Sequence, residues 1–149
     1  MRPSSRFAYT LRALVDLALR QGTGPVTVAA IAKRQGIPVH SLEQLFNRLR
    51  RKGIVTAERG PRGGYRLKLP PEKIQVRVLF ELFQPSGRGR GAGAVPSGPD
   101  GDSDPARLVW KQIQEAVTTS LESLTLGTLV SRFPHQVAES IRHRYTFHI

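Results

Sequence analysis

The segment Val28-Ala-Ala-Ile-Ala-Lys-Arg-Gln-Gly-Ile-Pro-Val-His-Ser-Leu-Glu-Gln-Leu-Phe-Asn-Arg-Leu-Arg-Arg-Lys-Gly53 decides the fold. Its first eight residues are apolar at Val28, Ile31 and Ala32, the spacing of a short helix that starts behind Thr27 and stops at Gly36. After the turn Gly36-Ile37-Pro38 a longer helix runs from about His40 to Lys52, with Leu42, Leu45, Phe46 and Leu49 inward and Gly53 as its cap. Glu43, Gln44, Asn47, Arg48, Arg50 and Arg51 fall on its outer face, where Glu43 is the only acid. Two such helices joined by a short Gly-containing turn make a helix-turn-helix.

Working outward, Phe7, Leu11, Leu14, Val15 and Ala18 recur at helical spacing between Ser4 or Ser5 as N-cap and Gly22. Downstream, the alternating runs Ile54–Arg59 and Tyr65–Leu69 bracket Gly60-Pro-Arg-Gly-Gly64, whose glycines supply the positive φ that a hairpin tip requires. A hairpin behind a recognition helix is a wing, here decorated by Arg59, Arg62 and Arg66. Pro70-Pro71 breaks the strand, and Lys73–Phe83 reads as an amphipathic helix with Ile74, Val78, Leu79, Leu82 and Phe83 inward.

Composition then changes. In Pro85–Pro105, 13 of 21 residues are Gly, Pro or Ser and the one sizeable apolar side chain is Val95, so a mobile connection is expected. A long helix from about Ala106 to Leu124 carries a stripe of Val109, Ile113, Ala116, Val117, Ser120, Leu121 and Leu124, followed by a short helix at Thr125–Phe133 and a tail from Pro134. No internal repeat is present. The expected organisation is a DNA-binding domain over 1–84, a loop over 85–105, a dimerisation helix with a short following helix over 106–133, and a tail over 134–149. The fold class expected is mainly α with a small β-hairpin, a winged helix-turn-helix plus a long dimerisation helix.

Charge sharpens the functional reading. The chain has 149 residues and a net charge of +12, and residues 1–68 hold 14 Lys and Arg against three acids, Asp16, Glu43 and Glu58. The remainder is nearly neutral, so the first half is the candidate for a polyanion. The N-terminal residues of a recognition helix face base edges in the major groove, here Val39, His40, Ser41, Glu43 and Gln44. Arg48, Arg50 and Arg51 then meet phosphates, and the wing arginines reach a narrow minor groove.

Other classes find little support. The absence of cysteine excludes disulfides, thiolate metal sites and cysteine nucleophiles. No apolar run is long enough to span a membrane. The first residues lack a secretory signal, and a cytoplasmic protein is expected. Neither a Gly-Lys-Ser/Thr loop nor a His-Glu-x-x-His is present, and Gly89–Ala94 matches a dinucleotide fingerprint without its strand and helix. His135, His143 and His148 read as exposed tail residues rather than metal ligands, and Trp110 as a core or interface anchor rather than a ligand platform. No enzyme, cofactor or metal is expected. The run Gly87-Arg-Gly-Arg-Gly91 keeps a second reading open, a non-specific nucleic-acid-binding protein.

The stretches Tyr9–Ala18, Ile31–Ile37, Leu42–Phe46 and above all Arg59-Gly-Pro-Arg-Gly-Gly-Tyr-Arg-Leu67 resemble the IscR/NsrR/CymR family of bacterial winged helix-turn-helix repressors. The resemblance resumes at Trp110 and at Leu124–Val130. It implies a homodimer on a pseudopalindromic operator, joined through Val109, Trp110, Ile113, Ala116, Val117 and Leu121 of the long helix, and leaves room for a small-molecule or protein effector. Cluster-bearing members place three cysteines before that helix. This chain has Ala92, Gly98 and Asp104 at comparable spacing, Arg107 where some members have histidine, and Arg62 where glycine is usual in the wing. The resemblance is therefore to a member without the cluster.

Overall fold

Ser4 opens the first helix, its Oγ accepting from the Phe7 N–H at 3.3 Å, and α1 runs Ser5–Leu19. The computed structural model describes residues 4–83 and 105–132. Thr27 caps α2 (Val28–Gln35) in the same way, accepting from the Ala30 N–H at 3.1 Å. Gly36 turns the chain with φ of 62°, a left-handed conformation that costs glycine little, and α3 follows at once over Val39–Arg51. The helix-turn-helix read from sequence is present within a residue at each boundary, and Leu42, Leu45, Phe46 and Leu49 are all buried.

The hairpin consists of β1 (Val55–Glu58) and β2 (Gly64–Leu67), antiparallel in the register Val55↔Leu67, Thr56↔Arg66, Ala57↔Tyr65 and Glu58↔Gly64. Its base is held by the loop before α2. The Val26 N–H donates to the Tyr65 carbonyl at 3.0 Å and the Tyr65 N–H returns to Val26 at 2.8 Å. Tyr65 also packs its ring on Phe46 of α3, centroids 4.8 Å apart. Wing and recognition helix are thus fixed to each other by one residue that bonds through its backbone and packs through its side chain.

Gly64 makes this approach feasible. Its φ is 155°, and a Cβ there would lie 2.6 Å from the Val26 backbone. Gly64→Ala is expected to cost about 2 kcal/mol or more, since both the strained φ and the backbone contact resist relaxation. A urea midpoint equal to the parent's would show that the wing base is looser than this.

After β2, the structure departs from the sequence pattern. Pro71–Lys73 forms a single 3₁₀ turn and α4 spans only Val76–Leu82, in place of one helix over Lys73–Phe83. Between them the chain is extended and pairs with the residues around Thr125. The Val76 N–H donates to the Leu124 carbonyl at 3.0 Å and the Leu126 N–H to the Ile74 carbonyl at 2.8 Å. Backbone groups satisfied by a partner some fifty residues away need no helix. The later start shifts the helical phase: Val76 is buried with Ile74, Leu79 and Phe83, while Val78, expected inward, is 42% exposed.

α5 covers Pro105–Glu122, with proline at its first position, and α6 covers Leu126–Arg132. α6 returns to the first part of the chain. It lies against α1 and the 3₁₀ turn, Leu126 is fully buried in the shared core, and a Cβ on Gly127 would meet Glu72 at 3.0 Å. The core gathers Leu14, Ile31, Leu42, Phe46, Leu49 and Leu79 around Leu126. Each such side chain contributes roughly 1.5–3 kcal/mol. The loop and tail expectations, including the tail histidines, fall outside the described residues apart from Pro105.

Candidate nucleic-acid interface

Three acids sit among the first 68 residues; the fold buries one of them and pairs a second with an arginine. Asp16 is internal, its carboxylate fully buried between α1 and α2. Arg34 reaches it with Nη2 at 2.7 Å and Nε at 3.0 Å, Gln35 donates at 2.9 Å, and Arg20 donates at 3.2 Å. Burial by itself raises the carboxyl's pKa, but hydrogen bonds from Arg34 and Gln35 and the charges of Arg34 and Arg20 outweigh it, holding Asp16 below the usual carboxylate range. Arg12 adds a hydrogen bond to the Gln35 carbonyl. The network locks α2 onto α1, and α2 in turn sets the angle at which α3 leaves Gly36.

Glu58 is the second acid, and its Oε1 lies 2.6 Å from Arg66 Nε on the neighbouring strand. Arg66 is therefore engaged within the hairpin, whereas Arg59 and Arg62 project at its exposed tip. Glu43 alone remains on the outer face of α3, with no ion pair among the described residues.

On α3, Val39 is 45% exposed, and His40, Glu43, Gln44, Arg48, Arg50 and Arg51 are exposed as well. Ser41 is half-buried. Gln44 and His40, one turn apart, are joined by a hydrogen bond of 3.1 Å between their Nε2 atoms. The sequence-derived residues of α3 are thus exposed except Ser41, and so are Arg59 and Arg62 of the wing, with Arg66 tied to Glu58.

A cleft of about 530 Å³ opens beside α3, toward the start of α1. Arg6, Tyr9 and Asn47 line it and were not among the sequence-derived site residues. Only the packing of α1 against α3 brings them together, and no periodicity in the sequence marks them.

The dimerisation residues divide. Val109, Trp110 and Ile113 are 54%, 42% and 39% exposed, and Ala116 is exposed too. Val117 and Leu121 are half-buried near α4, where Arg77 bonds Glu81 at 2.9 Å and Glu122 at 2.7 Å. Leu108, 59% exposed, extends the apolar surface and was missed by the stripe. Among the described residues no helix is long and apolar enough to cross a membrane.

A family model described as Rrf2, iron-dependent transcriptional regulator, matches residues 3–132. The chain is 39% identical over 134 residues to the HTH-type transcriptional regulator IscR of Klebsiella pneumoniae strain 342, covering 88% of this chain and 80% of that one. Among solved structures it is similar to T. potens IscR, with a TM-score of 0.72 and 30% identity over 89% of this chain and 88% of that one. It is also similar to CymR, the global cysteine regulator of B. subtilis, with a TM-score of 0.69 and 31% identity over 89% and 98% of the two chains.

Proposed function

The chain belongs to the Rrf2 family and is a DNA-binding transcriptional regulator, and on that premise we propose that it acts as a cytoplasmic homodimeric repressor on a pseudopalindromic operator. The observation that carries this reading is the exposed set of arginines on α3 and at the wing tip, with Asp16 buried and Glu58 paired to Arg66. Val39, His40, Ser41, Glu43 and Gln44 meet base edges, with the Gln44 amide suited to adenine and the Glu43 carboxylate to the cytosine amino group. Arg48, Arg50 and Arg51 bind phosphates, and Arg59 and Arg62 enter the minor groove beside Arg66. Two copies join through Val109, Trp110, Ile113, Ala116, Val117 and Leu121. No catalytic role is assigned to any residue.

The family description names iron, and the residues here do not fit a cysteine-ligated cluster. The chain contains no cysteine, and among the described residues no group of three or more His, Asp or Glu could hold a metal ion. Asp100, Asp102 and Asp104 in the preceding segment are hard oxygen donors, poorly matched to a soft iron–sulfur centre. We infer that the signal reaches this protein by another route, so operator binding is expected to be indifferent to oxygen, nitric oxide and iron chelators.

Selection from a random duplex library tests the reading. A two-fold symmetric consensus, with affinity at least about a thousandfold above random competitor, is expected. Enrichment without any consensus would favour the non-specific alternative. Arg59→Ala is expected to weaken binding more than any single phosphate-contacting arginine of α3, most on A·T-rich flanks, where the groove potential is strongest. Equal affinity to the parent on A·T and G·C flanks would remove the wing from the interface.

A further inference from the structure

The cleft between α1 and α3 adjoins Ser41 and Gln44, two of the residues proposed to read bases, and its lining is polar and cationic. α1 contributes Ser5, Arg6 and Tyr9, and α3 contributes Asn47, Arg48 and Arg51. With Ser41 and Gln44 of α3, that makes three guanidinium groups, three hydroxyls and two amides, with no carboxylate on the wall. None of the three arginines is ion-paired among the described residues. Arg48 is steadied by the ring of Phe83, its Cζ 5.8 Å from the centroid. The first turn of α1 lies at the same mouth. Ser4 satisfies the Phe7 and Ala8 N–H groups, and those of Ser5 and Arg6 have no partner within the helix. Such a donor set, unopposed by any acid, is the chemistry of an oxyanion site.

We propose that this cleft seats a phosphodiester of the operator backbone at the edge of the groove that α3 enters, making Arg6, with Ser5 and Tyr9, a positioning group for the recognition helix. The inference rests on the DNA reading above. Gln44 lines the cleft as well as the outer face of α3, so a phosphate held there fixes the register of a base-reading residue. The cleft is open on its outer side, as a continuous strand requires, which favours a backbone phosphate over a free small anion.

Quantitative binding of Arg6→Ala and Tyr9→Phe full-length proteins to the selected operator, at several salt concentrations, tests the proposal. Arg6→Ala is expected to weaken every sequence alike by roughly tenfold and to reduce the salt slope by about one per half-site. Its base-preference profile and melting temperature are expected to match the parent's, and ethylation of one phosphate per half-site should stop mattering. Tyr9→Phe, which keeps the ring, is expected to show the same uniform loss, smaller in size. Unchanged affinity and slope in Arg6→Ala, while Gln44→Ala still alters base preference, would overturn the phosphate seat and leave the reading helix intact. Loss of both effects would instead condemn the DNA face itself. Inorganic phosphate is titrated against the DNA-free protein as a control. Saturable millimolar binding that depends on Arg6, with a parental salt slope on DNA, would make the cleft a small-anion site and refute the backbone assignment.

Discussion

With Val109 and Ile113 both changed to glutamate, the protein is expected to run as a monomer of 16.5 kDa and to bind its operator about a hundredfold or more weakly than the parent. Val109, Trp110 and Ile113 lie on one stripe of α5 and are between 39% and 54% exposed in the single chain. On the proposed two-fold operator, that surface is where a second copy would join. Joining two reading heads makes the second half-site contact intramolecular, and the hundredfold is the part of that gain lost on dissociation. The substituted positions are exposed, so circular dichroism of the variant should match the parent. Light scattering should give about 33 kDa for the parent, twice the chain mass. A variant that stays dimeric, or a monomer that binds as tightly as the parent, would contradict this role for α5.

Asp16→Ala is expected to destabilise the fold by about 3 kcal/mol, a large share of the stability of a small domain. The substitution removes the acceptor of Arg34, Gln35 and Arg20 together and leaves Arg34, only 23% exposed, without its partner. Partial solvation of Arg34 and Arg20 places the cost toward the lower end for a broken buried pair. The same site sets an acid response. Because the folded carboxyl has a lowered pKa, the folded state binds fewer protons than the unfolded one. Its stabilisation is complete above the unfolded value of roughly 4 and is lost as pH falls through the folded value. Asp16→Asn should therefore be less stable than the parent at neutral pH and lose less on acidification. Parallel stability curves from pH 6 to pH 2 would assign acid unfolding to other groups.

The helix-turn-helix was legible because each of its parts carries a local signal: Thr27 as cap, Gly36 for the left-handed turn, and a four-residue apolar face on α3. The hairpin was legible for the same reason, from the glycines around Arg62 and the alternation on either side. What the sequence left hidden depends on partners distant in the chain. The extended Ile74–Val76 segment forms because Leu124 and Leu126 supply its hydrogen bonds, and nothing near Ile74 announces that. Val78 was placed inward on the phase of a helix that starts later than its apolar pattern. Asp16 entered the sequence reading only as one of three acids in the basic half, and only the packing of α2 on α1 makes it the buried centre of a network. Of the proposed interface, the residues of α3 and the wing could be named from charge and position, whereas the cleft that Arg6 and Tyr9 line needed the tertiary fold.

The account stands on α3 as the element that reads bases, and the base-preference profile of Gln44→Ala measures this most directly. Affinities for every single-base variant of the selected operator should change at one position per half-site, where discrimination falls by about 1–3 kcal/mol while the other positions keep their order. Arg50→Ala and Arg51→Ala, measured alongside, should weaken all variants equally and flatten the salt dependence. A Gln44→Ala profile identical to the parent's at every position would contradict the placement of α3 in the groove.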